Sequence, residues 1–212
     1  MEPRMYQSNR SASQESCQLL SLKRKRQPRG GKAITLFNGK DLAGWHSSNR
    51  SQPLHWTVEE GTLVSNGSGP EIITDSKFED FKLHVEFNCG IESNSGVYLR
   101  GRYEVQIETD SAEESPSHYT GGVYGFLAPT PELPRKSGES QSFDISLLGR
   151  MITVVQSGHT VIDHQEIPGI TGGGARQSGG IARAHLFARQ RKGTRSVPEY
   201  CDYSCKVNRL SL

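Results

Sequence analysis

Apolar and polar residues alternate along 82–88 (KLHVEFN), 102–107 (RYEVQI), 143–148 (FDISLL) and 151–156 (MITVVQ). A period of two is the signature of a strand with one face buried. Shorter stretches of the same kind occupy 55–59 (HWTVE), 62–65, 72–74, 96–99 and 160–163 (TVID). Turn signals separate them: Glu60-Gly61, Asn66-Gly67, Asn94-Ser95-Gly96, Gly149-Arg150 and Ser157-Gly158. Many short strands joined by Gly-containing turns predict an all-β sandwich or jelly roll. Residues 112–142 form a long, polar, Pro-rich insertion. A connection of that length in a compact domain is usually functional or mobile, and this one is expected to wall a binding site. Residues 1–32 are rich in Ser, Gln and Arg, lack a pattern, and are expected to be a disordered tail.

The segment 95–110 (SGVYLRGRYEVQIETD) carries the candidate chemistry. Val97, Leu99, Tyr103, Val105 and Ile107 have the parity of a core face. Tyr98, Arg100, Arg102, Glu104, Gln106 and Glu108 fall at the alternate positions and predict one polar face of mixed charge. A row of arginines and carboxylates is a surface for sugar binding and acid–base chemistry. The plain alternative is a solvated outer face. A bulge at Gly101 would flip the register of one half.

Charge and cysteines narrow the classes. The 212 residues fit one β domain with tails, and 33% hydrophobic content with 23 Gly and 10 Pro suits short strands and many turns. The net charge is +2. The basic excess sits at the ends, with KRKR at 23–26 and further basic residues in 174–212, while 33–173 is acidic. That distribution predicts no nucleic-acid groove. No apolar run reaches the ~18 residues of a membrane span. No signal peptide is evident, because the basic cluster follows the short apolar run 17–22 rather than preceding it. Of Cys17, Cys89, Cys201 and Cys205, only Cys89 falls in the patterned region, so no disulfide framework and no metal site is expected.

Other residues divide between site and scaffold. His118 lies in the long insertion, ahead of Thr120-Gly121-Gly122 and near Tyr119 and Tyr124, and is a site candidate. His84 shares the polar parity of Lys82 and Glu86. Trp45 and Trp56 are expected in the core, His159 in a hairpin turn and His164 at the surface. No phosphate-binding Gly loop, G-x-S-x-G elbow or H-E-x-x-H is present.

Five ordered motifs carry a resemblance. FNGKDLAGW, WTVEEGTLVS, NSGVYLRGRYEVQIETD, TGGVYG and FDISLLGRMITVVQSGHTVIDHQEIPGITGG together resemble the 3-keto-disaccharide hydrolase domain family, over about residues 34–173. The resemblance implies a concanavalin A-like jelly-roll sandwich of two antiparallel sheets with the site on a concave sheet. It also implies a bacterial, periplasmic or extracellular protein of sugar catabolism. The family's SG-x-x-x-R and YE-x-Q motifs fall on Ser95, Gly96, Arg100, Tyr103, Glu104 and Gln106, and its acidic strand end on Glu108 and Asp110. The catalytic candidates are then Glu104, Arg100, Glu108, Asp110 and His118. The substrate-binding candidates are Ser95, Tyr98, Arg102, Gln106 and Tyr124. A carbohydrate is the implied partner. Neither cofactor nor oligomeric state follows from these residues.

The chain departs from the family after Gly173, where a basic run with little strand pattern replaces the expected ending. Codons for residues 174–206 exist that, shifted by one base, spell PGPIFLQ and then RNIVIT, the family's closing strands in order. The expectation is a frameshifted tail over 174–212 and a sandwich lacking its two C-terminal strands. Each lost core side chain would cost roughly 1.5–3 kcal/mol, against a total stability of ~5–15 kcal/mol, so the domain is expected to be weakened or inactive.

The implied reaction is physically coherent. A ketone at C3 of a glycoside acidifies the C2 proton; a base removes it, the anomeric oxygen leaves by elimination, and water adds to the enone. Glu104 or Glu108 would be the base, Arg100 or Arg102 the enolate contact, Asp110 or His118 the acid. Ordinary glycosidase chemistry fits less well. Two carboxylates four apart on a strand are ~13 Å apart, beyond the roughly 5 Å of a retaining pair and the roughly 9.5 Å limit of an inverting one. A lectin-like module that binds sugar without cleaving it is the alternative, since one fold hosts both.

Overall fold

The computed structural model describes residues 29–65, 67, 69–91, 93–109, 115–134, 136–171, 185–190 and 201–211. All named strands pair antiparallel, in two sheets. The strands are β1 (Arg29–Thr35), β2 (Trp45–Ser47), β3 (Trp56–Glu59), β4 (Thr62–Ser65), β5 (Ile72–Thr74), β6 (Phe81–Cys89) and β7 (Ser93–Leu99). They continue with β8 (Tyr103–Glu108), β9 (Gln141–Leu148), β10 (Met151–Gln156), β11 (His159–Glu166), β12 (His185–Gln190) and β13 (Cys201–Ser211). The larger sheet runs β11-β10-β9-β6-β13-β4-β3, with β1 also on β13; the smaller runs β2-β5-β12-β7-β8.

Alternation builds the core as expected. Leu83, Val85 and Phe87 of β6 and Ile145 and Leu147 of β9 meet Val97, Leu99, Val105 and Ile107 of the smaller sheet. Trp45 and Trp56 join them and donate their indole N–H groups to the Leu36 carbonyl at 2.9 Å and the Pro70 carbonyl at 3.3 Å. FNGKDLAGW is a folded turn. Asn38 Oδ1 accepts from the Lys40 and Asp41 amides, and Asp41 Oδ1 accepts from Asn38 Nδ2 and the Ala43 amide.

Several expectations are corrected. The two terminal strands thought missing are both present in the backbone. β12 lies between β5 and β7, and β13 lies between β6 and β4. A strand hydrogen-bonded on both edges is held by its neighbours' backbone groups, so its position does not depend on an alternating pattern. Asn94-Ser95-Gly96 is not a turn but part of β7, and β1 starts inside the segment read as a tail. The first 28 residues of that tail lie outside the described residues. No disulfide framework was expected, yet Cys89 is disulfide-bonded; the backbone register sets Cys201 opposite it.

The decisive local feature is the β7–β8 connection. Strands β7 and β8 form a hairpin, with the turn at residues 100–102. The Arg102 amide bonds the Leu99 carbonyl at 3.0 Å, and φ is +55° at Arg100 and +60° at Gly101. The suspected bulge at Gly101 is therefore a tight turn, at a conformation glycine adopts without cost. Tyr98 pairs with Glu104, Gly96 with Gln106 and Asn94 with Glu108, so the even-numbered residues on both sides of the turn still share one face.

Candidate active site

The non-core face of β7–β8 is polar and closed to solvent. Gln106 and Glu108 are 0% exposed, Glu104 5% and Tyr98 7%. A solvated outer face is thereby excluded. The segment 120–124 supplies the reason along one edge. It runs beside β8, with backbone bonds from the Gln106 amide to the Gly122 carbonyl, the Gly121 amide to the Gln106 carbonyl and the Tyr124 amide to the Glu104 carbonyl. Val123 pairs with Val105 and joins the core, so Tyr124 projects to the polar face next to Glu104. The chain before it folds tightly over Gly122. A Cβ there would stand 2.8 Å from the Ser117 carbonyl oxygen and 3.1 Å from that of Tyr119. This brings His118, at the end of the 3₁₀ turn Pro116–His118, into a parallel stack on Tyr124 with centroids 4.0 Å apart.

Tyr98 and Glu104 form the centre of this face. The Tyr98 phenol is pushed above its usual range, first by burial, then by the charge of Glu104 and its hydrogen bond to that carboxylate, with a smaller contribution from the charge of Glu71. Tyr98 therefore stays a protonated donor at neutral pH. Glu108 accepts from Asn94 Nδ2 at 2.5 Å, and its backbone exchanges bonds with the Thr120 hydroxyl. Gln106 sits between the two carboxylates, and neither Nε2 nor Oε1 has a hydrogen-bond partner. Farther along the same face, His46 pairs with Ile73 in register and its Nδ1 lies 2.6 Å from Asp75 Oδ1.

The predicted residues separate into two groups. Tyr98, Glu104, Gln106, Glu108 and Tyr124 share the face, with His118 at its rim. The others do not join them. Ser95 is buried with the parity of Val97 and pairs with Ile107, on the core side. Arg100 turns toward the other sheet: its guanidinium lies over the Tyr103 ring at 5.4 Å and its Nη2 donates to the Gly149 carbonyl. Arg102 is exposed in the turn and contributes its carbonyl to the Thr171 amide and hydroxyl. The hairpin separates both arginines from the carboxylates. Asp110 lies outside the described residues. Glu71, Thr171 and Asn94 were not anticipated; both Glu71 and Thr171 act on the Tyr98 phenol. Glu71 has the parity of Ile73, but only the pairing of sheet strands reveals its closeness to Tyr98.

A family profile described as a 3-keto-α-glucoside-1,2-lyase-like domain matches residues 32–194. The chain belongs to this family. The match extends past residue 173 and includes β12. A 3-keto-disaccharide hydrolase of Bacteroides thetaiotaomicron is 33% identical over 133 residues, covering 58% of this chain and 46% of that protein. The chain thus spans about half the length of this curated relative. A structure from Parabacteroides distasonis described as a glycosyl hydrolase superposes with a TM-score of 0.69 at 27% identity, covering 85% of this chain and 90% of its own. A carbohydrate-binding module of Bacillus subtilis gives 0.51 at 8% identity over 80% of this chain and 95% of its own, a likeness of fold alone.

Among the described residues, no helix is long and apolar enough to cross a membrane, and no group of three or more His, Cys, Asp or Glu is placed to hold a metal ion.

Proposed function

We propose that this domain of the 3-keto-α-glucoside-1,2-lyase-like family cleaves 3-keto-glycosides by removing the C2 proton. The buried Tyr98–Glu104 pair is the observation that carries this reading. Glu104 takes the proton from C2, and the electron pair of the C–H bond forms an enolate with the C3 oxygen. Collapse of the enolate restores the ketone, creates the C1–C2 double bond and expels the anomeric oxygen. His118 at the rim donates the proton that oxygen needs. Water then adds at C1 and a proton returns to C2. A dry site suits these steps, because hydrogen bonds to a developing oxyanion are stronger at low dielectric. The disulfide at Cys89 fits an oxidising compartment, periplasmic or extracellular.

A second reading has its own support. The stacked His118 and Tyr124 rings make an aromatic wall of the kind a sugar ring packs on, which a lectin-like module would use without chemistry. Glu104→Gln separates the two. It should lower turnover of a 3-keto-glycoside by about 10²–10⁴ with the melting curve preserved, while wild type leaves the unoxidised glycoside intact. Equal cleavage of ordinary glycosides rejects the elimination. Binding without cleavage of either sugar establishes the lectin reading.

A further inference from the structure

The amide of Gln106 has a 0% exposed side chain with neither its donor nor its acceptor satisfied. Such a group is costly in a folded protein and calls for an explanation. Its surroundings supply one. On one side, its strand neighbour is Gly96, and on the other the adjoining backbone is Gly122, so neither flanking position projects a side chain beside it. Along β8, the same face carries Glu104 two residues before and Glu108 two residues after. The amide therefore lies between two carboxylates, with no side chain from either of these two glycine positions beside it and both hydrogen-bonding atoms unused.

We propose that Gln106 is the group that holds the C3 oxygen of the substrate, its Nε2 donating to the ketone and then, more strongly, to the enolate. Its Oε1 accepts from the hydroxyl on the adjacent ring carbon. This rests on the elimination reading above and deepens it. That reaction needs a donor at the developing oxyanion, and the two arginines expected in that role are turned away by the hairpin. An amide is suited to the place. It donates without carrying a proton that Glu104 could take, and it adds no charge between two carboxylates. A neutral donor is bonded to the ketone and bonded better to the enolate, so its effect falls on the rate more than on binding. Leaving a buried amide unsatisfied by the protein is the cost of having it in place before the reaction starts.

Gln106→Met, nearly the same in length and volume, and Gln106→Leu both test this. Each should lower kcat on a 3-keto-glycoside by about 10²–10³ while KM stays within a few-fold. Each should also raise the melting temperature by a few degrees, since an unsatisfied buried amide is removed. A structural glutamine would behave in the opposite way, with a lower melting temperature and parallel loss of all activity. Turnover within threefold of wild type in both variants overturns the assignment, as does a change confined to KM. If wild type itself fails to consume the 3-keto-glycoside, the elimination reading falls, and this inference with it. If wild type is active and both variants are too, only Gln106 loses its role.

Discussion

On one side of the β7–β8 hairpin, Val97, Leu99, Val105 and Ile107 interlock with the larger sheet; on the other, Tyr98, Glu104, Gln106 and Glu108 are almost as dry. Burial is the same and chemistry is opposite. For the apolar side, burial is itself the driving force, at roughly 25 cal/mol per Å². For the polar side, burial is a cost that hydrogen bonds offset only in part. Tyr98 and Glu104 satisfy one another, and Glu108 has Asn94, but Gln106 has no partner. A hairpin with one face built for stability should therefore tolerate losses on its other face without unfolding. Stability and activity should divide along its plane.

The largest effect on stability is expected from the apolar side. Leu99 is fully buried, and Leu99→Ala should destabilise the domain by about 2–5 kcal/mol, read as a shift of the denaturant midpoint. Below the melting transition, the remaining folded protein should turn over substrate at close to the wild-type rate per folded molecule. A collapse of kcat in folded Leu99→Ala would mean that the two faces are coupled.

Tyr98 tests the polar side through pH. Its pKa in the fold lies above the unfolded value of 10.0, so the folded state holds its proton more tightly. The stability this gives is fully present below pH 10 and is lost as pH climbs above it, because the unfolded chain releases the proton first. Tyr98→Phe should remove that contribution, giving a flatter alkaline limb in a melting-temperature scan from pH 8 to 11. Near neutral pH the variant should be less active, since Glu104 loses the donor that orients it. An unchanged alkaline limb would contradict the buried phenol–carboxylate pair.

How much of this was readable follows from the same two faces. Strands β6, β9 and β10 were legible because each has an apolar side that repeats every second residue, and β5 and β11 because β-branched apolar residues stand beside turn signals. β2 (WHS) has a single apolar residue in three, and β12 and β13 owe their places to backbone pairing on both edges, which leaves no periodic trace. The polar row was legible by parity, yet two of its six members were misplaced. LRGRY continues the alternation through the turn, and Arg-Gly is not among the dipeptides that announce a hairpin. Parity also could not assign Ser95, because a serine on the core side looks polar in sequence. The closeness of Glu71 to Tyr98 depends on which strands become neighbours, information that no local pattern contains.

The smallest effect is expected at Arg100, and it bears most directly on the division between the faces. In sequence this residue stands in the polar row, two positions from Tyr98. In the fold it occupies the turn, stacks on Tyr103 and donates to the Gly149 carbonyl, tying the hairpin to the opposite sheet. It does so at a positive φ, which costs a side-chain-bearing residue roughly 1–2 kcal/mol. Arg100→Gly relieves that cost, while removing a charged hydrogen bond worth roughly 1.5–3 kcal/mol and a cation–π contact of about 0.5–1 kcal/mol. The terms oppose one another, so the melting temperature should fall by only a few degrees. Activity on a 3-keto-glycoside should stay within about threefold, because no group on the polar face has been touched and an effect below half a power of ten is under 1 kcal/mol. A hundredfold loss with an unchanged melt would return Arg100 to the site, and would mean that the hairpin rearranges when substrate binds.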